Sequence, residues 1–217
     1  MKYLAALSFI ASSCIATAAF AGGQDSEWYT GLSGDISFPR DTSVTGTTSG
    51  DIKYKFSSGG NISLGYRPNA LNNSTGDARF ELEGGYHAFG LKSITANGVT
   101  NANPSGDLKA FTLMGNAYYD LHTGTPFTPY IGAGIGDADI NFDKSNGFGM
   151  TKSNSNQLGY QFMTGVSYTP ESLPQTEWSL GYRYLGTTSP QFATTTGDVK
   201  FDPIRASNVE LGFKYHF

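Results

Sequence analysis

The sequence predicts an all-β protein, an eight-stranded antiparallel up-and-down transmembrane β-barrel, on three observations. Apolar or aromatic residues alternate with polar residues or glycine in eight stretches, and a period of two sends them to opposite faces of a strand. The connections alternate long and short along the chain, the asymmetry of barrels with long outer loops and short inner turns. Aromatic residues gather at both ends of the stretches, as in the girdles that flank a bilayer crossing.

The first residues predict a secretory signal peptide over 1–21, with the barrel domain over 22–217. Lys2 supplies the charged start, "YLAALSFIA" the apolar run and "AFA" (Ala19 to Ala21) the small-residue cleavage site. That run is shorter than the ~20 residues of a spanning helix. Cys14 invites a lipoprotein reading, but the "ASS" before it lacks the leucine such a site carries. Cleavage after Ala21 would remove the single cysteine, exclude disulfides and take the net charge from −4 to −5. No basic stripe is present, which argues against nucleic acid as a partner. No long apolar run follows the signal, which excludes a helical membrane protein. With 28 glycines, 13 tyrosines and 15 phenylalanines in 217 residues, the composition suits strands whose lipid-facing residues are every second one.

The strands follow in order. "WYTGLSGDISF" sets Trp28, Leu32, Ile36 and Phe38 against Tyr29, Ser33, Asp35 and Ser37. "KYKFSSGGNISLGYR" sets Tyr54, Phe56, Ile62, Leu64 and Tyr66 against Lys53, Lys55, Asn61, Ser63 and Arg67. "ARFELEGGY" sets Phe80, Leu82 and Tyr86 against Arg79, Glu81 and Glu83. In "AFTLMGNAYYDL", Phe111, Leu113, Ala117, Tyr119 and Leu121 oppose Thr112, Met114, Asn116 and Asp120. "TPYIGAGIG" turns Ile131, Ala133 and Ile135 one way. "LGYQFMTGVSY" contributes Leu158, Tyr160, Phe162, Val166 and Tyr168. "EWSLGYRYLG" sets Trp178, Leu180, Tyr182 and Tyr184 against Glu177, Ser179 and Arg183. The ending "NVELGFKYHF" sets Val209, Leu211, Phe213, Tyr215 and Phe217 against Glu210, Gly212, Lys214 and His216.

The long connections, 39–51, 92–107, 143–156 and 187–205, would be extracellular, and the short ones, 68–76, 122–126 and 169–176, periplasmic. One aromatic ring is expected at the periplasmic end: Trp28, Tyr66, Phe80, Tyr119, Tyr130, Tyr168, Trp178 and Phe217. The outer ring would hold Phe38, Phe56, Phe111, Phe142, Tyr160 and Tyr184. A soluble barrel of lipocalin type would turn its apolar face inward and has no reason to place rings at both rims. Lipid cannot hydrogen-bond the backbone, so the sheet must close. Eight strands leave an interior that side chains just fill. The charges expected there are Arg79, Glu81, Glu83, Arg183, Glu210 and Lys214, with Lys53, Lys55 and Arg67. They are tolerable only if paired, which predicts a salt-bridged plug.

The signal segment, "WYTGLSGD", "TPYIGAGIG", "LGYRYLG" and "LGFKYHF" resemble the OmpA-like and opacity-type family of small outer-membrane barrels, which includes many bacterial surface antigens. The resemblance spans Glu27 to Phe217. It implies export to the outer membrane of a Gram-negative bacterium. It further implies that Phe213, Tyr215 and Phe217 form a signal read by the barrel-assembly machinery. Larger relatives add a peptidoglycan-binding domain after the barrel, which is not expected here.

Few motifs suggest chemistry, and no cofactor is expected. "GAGIGDAD" has Asp137 where a dinucleotide fingerprint needs glycine, and no helical pattern follows. Its glycines would make room for inward neighbours such as Met163 or Arg183. Asp137, Asp139, Asn141 and Asp143 alternate like the start of a calcium loop, but Phe142 and Phe148 stand where an EF-hand needs Gly and Glu. Two readings stay open: a solvated strand end, or a divalent-cation site bridging to lipopolysaccharide. "NNST" at Asn72 reads as turn chemistry. A hydrolase would need a His–Ser–acid set near the outer interface. His122 and His216 fall at the periplasmic side, and His87 is expected to have no close serine and acid on its face. The expectation is therefore a non-catalytic surface protein. Its outer loops would bind a host or cell-surface ligand, beside outer-membrane lipid and lipopolysaccharide; the alternative is a narrow passive channel.

Overall fold

A computed structural model of the chain describes residues 28–46, 50–96, 98–101, 107–142, 154–189, 191–194 and 197–217. The expected signal peptide and Asp143 lie outside them. The strands are β1 (Trp28–Pro39), β2 (Thr42–Gly46), β3 (Gly50–Tyr54), β4 (Ser57–Tyr66), β5 (Gly76–Ala96), β6 (Val99–Asn101) and β7 (Asp107–Leu121). They continue with β8 (Phe127–Phe142), β9 (Asn154–Tyr168), β10 (Thr176–Thr187), β11 (Gln191–Thr194), β12 (Gly197–Phe201) and β13 (Arg205–His216).

Eight of these form a closed antiparallel barrel in the order β1, β4, β5, β7, β8, β9, β10, β13 and back to β1. Closure pairs each backbone polar group with a neighbouring strand, which lipid requires. The expected alternation governs the wall. Leu32, Ile135, Leu180 and Leu211 face outward and are 56–64 % exposed, an arrangement that water would penalise and lipid does not. Rings meet at an angle across strands at the periplasmic end, Trp28 with Tyr66 and Trp178 with Phe213 at 4.9 Å, Phe127 with Tyr168 at 5.0 Å. At the outer end Tyr86 meets Phe111 at 4.9 Å.

One residue of the expected periplasmic ring is elsewhere. Tyr130 shares the parity of Gly132 and Gly134, points inward and is buried. Its hydroxyl comes so close to Gly181 that a Cβ there would lie 2.3 Å away. The glycines of "GAGIG" likewise make room for neighbours other than the expected Met163 and Arg183. A Cβ at Gly132 would meet the Tyr118 ring at 2.4 Å, and one at Gly134 would meet Asn116 Oδ1 at 2.0 Å.

The wall continues beyond the barrel. β5 is 21 residues long, about 70 Å at 3.3 Å per residue against the ~10 residues that cross a bilayer. It leaves β4 at Ala88 and takes β3 as partner from Leu91 to Ala96. Further pairing gives an outer sheet in the order β11-β12-β2-β3-β5, with β6 on the other edge of β5. Among the described residues, the connections 39–51, 92–107 and 187–205 thus carry strands of their own. Their apolar residues are isolated among Thr, Ser and Gly, so periodicity gave no signal there.

In this outer wall the faces exchange character. Ile52, Tyr54, Phe89, Leu91, Ile94, Leu108, Ala110, Ile140, Ile204 and Ala206 point inward and form one buried apolar cluster, and burial pushes the Tyr54 hydroxyl up to about 12. Lys53 and Lys55 are exposed on the outside, not in the interior as expected. Past the membrane the outer face meets water, so apolar groups turn inward. β5 as far as Leu91, β7 and β8 do so without a change of parity, whereas the chain between Tyr54 and Ser57 shifts it, so that Ile52 and Tyr54 point inward but so do Ser57 and Asn61.

Candidate functional site

The inward residues of β5 (Arg79, Glu81, Glu83, His87) order the polar interior from the periplasmic end outward. At the base, Arg79 is fully enclosed. Its Nε donates to Asp120 Oδ1 and Oδ2 at 2.9 and 2.8 Å, and its Nη1 contacts Glu81 and donates to the Tyr29 hydroxyl at 3.1 Å. Tyr29 in turn donates to Glu81 Oε1 at 2.7 Å. The guanidinium stacks 3.8 Å from the Tyr118 ring centre. Arg67 reaches Asp120 at 3.1 Å, and Lys214 and His216 both hold Glu177, at 2.7 and 3.1 Å. Here Arg67, Arg79 and Lys214 match Glu81, Asp120 and Glu177, the pairing that makes buried charge tolerable.

One layer outward, Arg183 Nη2 lies 2.8 Å from Glu83 Oε2 and 2.7 Å from Glu210 Oε2, while Nη1 donates to Gln161 Oε1 at 2.9 Å. Gln161 Nε2 donates onward to Glu83 Oε1 at 3.1 Å and Asn116 Oδ1 at 2.7 Å. Asn61 Nδ2 donates to Ser33 Oγ and Glu210 Oε2 at 3.2 and 3.3 Å. Seven of the nine charges expected in the interior, Arg67, Arg79, Glu81, Glu83, Arg183, Glu210 and Lys214, thus sit among these pairs, and Lys53 and Lys55 do not. Asp120, Glu177 and Asp35 were not singled out with them, although their inward parity was visible. The cavity bounded by Arg79, Glu81, Arg183, Glu210 and Tyr118 has a volume of ≈ 30 Å³, space for about one water molecule.

The outermost polar layer is less well matched. Asp35 lies opposite Glu210 and Gly59 in register, and among the described residues neither of its carboxylate oxygens has a hydrogen-bond partner. His87 Nδ1 stands 3.4 Å from Asp35 Oδ1, so an acid does share its face, contrary to expectation. Both residues are buried, at 2 % and 5 % exposure, and out of reach of a lipid substrate. Among the described residues Glu83 and Glu210 share Arg183, and Asp35 is paired only with His87.

Asp137, Asp139 and Asn141 share the outer face of β8, opposite Leu113, Phe111 and Lys109 of β7. Among the described residues no group of three or more His, Cys, Asp or Glu is placed to hold a metal ion. His122 pairs with Asp77 at 3.0 Å. Phe213 packs on Trp178, Tyr215 donates to Gln175 Oε1 at 3.2 Å, and the Phe217 backbone N–H donates to Trp28 O at 3.2 Å.

Comparison with known proteins follows the same geometry. The family model for the outer membrane protein β-barrel domain matches residues 7–217. The outer membrane protein PagN of Salmonella typhimurium is 30 % identical over 159 residues, 64 % of either chain. Major surface antigen 4 of Anaplasma marginale is 29 % identical over 159 residues, 63 % of this chain and 51 % of that protein. The chain thus spans less than two thirds of these relatives' lengths. The crystal structure of neisserial surface protein A superposes with a TM-score of 0.57 at 23 % identity, covering 88 % of this chain and 98 % of that one, a likeness of fold. The chain belongs to the outer membrane protein β-barrel domain family and is a small outer-membrane β-barrel of Gram-negative type.

Proposed function

We propose that this barrel is a non-catalytic, surface-exposed structural protein whose wall above the membrane carries contacts to a host or neighbouring-cell ligand. The observation that supports this most is the filled interior: paired charges around a cavity of ≈ 30 Å³, below an apolar cluster at the outer mouth. A solute path would have to separate Arg79 and Arg183 from their carboxylates, which burial makes costly. The sheet of β2, β3, β11 and β12 extends backbone well beyond the bilayer, as binding segments carried on a rigid scaffold do. That the A. marginale relative is a major surface antigen agrees with this role.

Two measurements test it. Purified barrel in planar bilayers should give no discrete conductance steps, and uniform steps abolished by plugging the interior would establish the channel instead. Binding of barrel-bearing cells to host matrix should fall when residues 41–54 or 191–201 are replaced by a short turn. Unchanged binding with a folded barrel would remove the recognition role.

A further inference from the structure

On the outer wall the exposed face of β3, β5 and β7 carries Lys53, Lys55, Lys92 and Lys109. The Lys55 backbone N–H donates to Gly90 O at 2.8 Å. Its side chain lies over that glycine, where a Cβ would stand 3.8 Å from Lys55 Cβ and 3.9 Å from Cδ. Lys109 is opposite Ala88, the preceding outward position of β5. Lys53 is opposite Ser93, beside Lys92. The four lysines therefore flank Ala88 and Gly90, a stretch of small side chains, on one continuous sheet. Among the described residues none of the four is in an ion pair. Acids placed near this face among the described residues include Asp51, which accepts from Ser43 Oγ at 3.0 Å, and Asp139, two residues before Asn141, which is opposite Lys109.

Height on the wall identifies the partner. Lys109 is two residues beyond Phe111, about 7 Å along the strand, and Lys92 is six beyond Tyr86, about 20 Å. The Tyr86–Phe111 pair belongs to the outer girdle, which sits at the membrane–water interface. The lysines thus begin at headgroup height and climb the side of the barrel. A ligand arriving from the medium would meet the sheet tips first, whereas an outer-leaflet glycolipid stands alongside this face. We propose that Lys55, Lys92 and Lys109, supported by Lys53, form a docking site for the phosphate groups of lipopolysaccharide. The small residues at its centre let a bulky headgroup approach the sheet. The site stands whether or not the sheet tips bind an external ligand, because it requires only placement in the outer membrane.

The test uses the full barrel in phospholipid nanodiscs containing bis-phosphorylated lipid A, with dephosphorylated lipid A and soluble heparin as separate arms. Association should weaken about 100-fold in K55Q/K92Q/K109Q, at about five-fold per lysine near an anionic surface. It should also lose most of its salt dependence, and K55R/K92R/K109R should restore both. Heat-modified migration on gels checks that each variant is folded. Equal affinity of the glutamine variant for bis-phosphorylated lipid A would overturn the proposal. So would equal binding of both lipid A forms, or binding confined to heparin. Binding of cells to host matrix, unchanged in the same variant, separates this site from the recognition role of the sheet.

Discussion

Up to Tyr86, β5 turns Phe80, Leu82 and Tyr86 outward and Arg79, Glu81 and Glu83 inward; from Ala88 on, its outward residues are Ala88, Gly90 and Lys92, and its inward ones Phe89, Leu91 and Ile94. The strand keeps one parity through Leu91, and an irregularity at Lys92–Ser93 brings Ile94 to the same inner side. Only the character of each face changes. β7 repeats the exchange, with Leu108 and Ala110 buried on the same side as Asn116 and Asp120. In the lower region lipid outside forces polar groups in, where they must pair. In the upper region water outside lets the interior close on hydrocarbon. One strand therefore contributes to two cores, an ionic one and an apolar one, and the change from one to the other reports the height of the membrane surface.

The sharpest test of the ionic region is removal of its hub. Arg183→Ala leaves Glu83 and Glu210 without a cation and should cost about 3–5 kcal/mol, read by urea unfolding of the barrel in detergent. Phe89→Ala, in the apolar region, should cost a similar amount, about 3–5 kcal/mol, by cavity formation alone. The two should differ in kind. Removing the carboxylates as well (Arg183→Met with Glu83→Gln and Glu210→Gln) should recover most of the first loss, and failure to recover would mean that the network contributes more than charge balance.

Lipid contact gives a smaller and strictly local effect. Leu211→Arg should cost about 2–4 kcal/mol if it lies near the midplane, whereas Lys55→Arg, on the same outer surface but above the membrane, should be neutral within about 0.5 kcal/mol. Comparable losses at the two sites would break the division between the regions. The smallest effect carries the opposite sign. Asp35 is enclosed, has no hydrogen-bond partner among the described residues and lies opposite Glu210, so Asp35→Asn should stabilise the barrel by about 1 kcal/mol. A loss exceeding that would show that His87 already compensates it.

The spanning strands were legible because each has one face in lipid, and a two-residue period is the direct record of that asymmetry. The same parity marked Arg79, Glu81, Glu83, Arg183, Glu210 and Lys214. It failed at Lys53 and Lys55 because the alternation is interrupted between Tyr54 and Ser57, so these lysines do not share a face with Asn61, and no local pattern marks the break. Tyr54 and Phe56 looked like a lipid-facing pair in continuation of Ile62 and Leu64; Tyr54 instead belongs to the apolar core, where Ile52 is its neighbour. Tyr130 failed for a related reason, since an aromatic at a strand end reads as girdle unless its parity is followed. The short outer strands had no periodic signal, because Thr and Ser suit either face. The juxtaposition of Asp35 with His87 depends on the register of β1, β4 and β5, which no local pattern contains.

Nitroxide accessibility along β5 addresses the two-region account most directly. Single labels at 80, 82, 84, 86, 88, 90 and 92, with 89 and 91 as inward controls, would be read in bilayers with oxygen and a water-soluble nickel chelate as competing relaxants. Relaxation should be oxygen-dominated up to 86, cross over between 86 and 90 and be chelate-dominated at 92, with protection from both at 89 and 91. Oxygen dominance persisting to 92, or chelate access at 89 and 91, would contradict it.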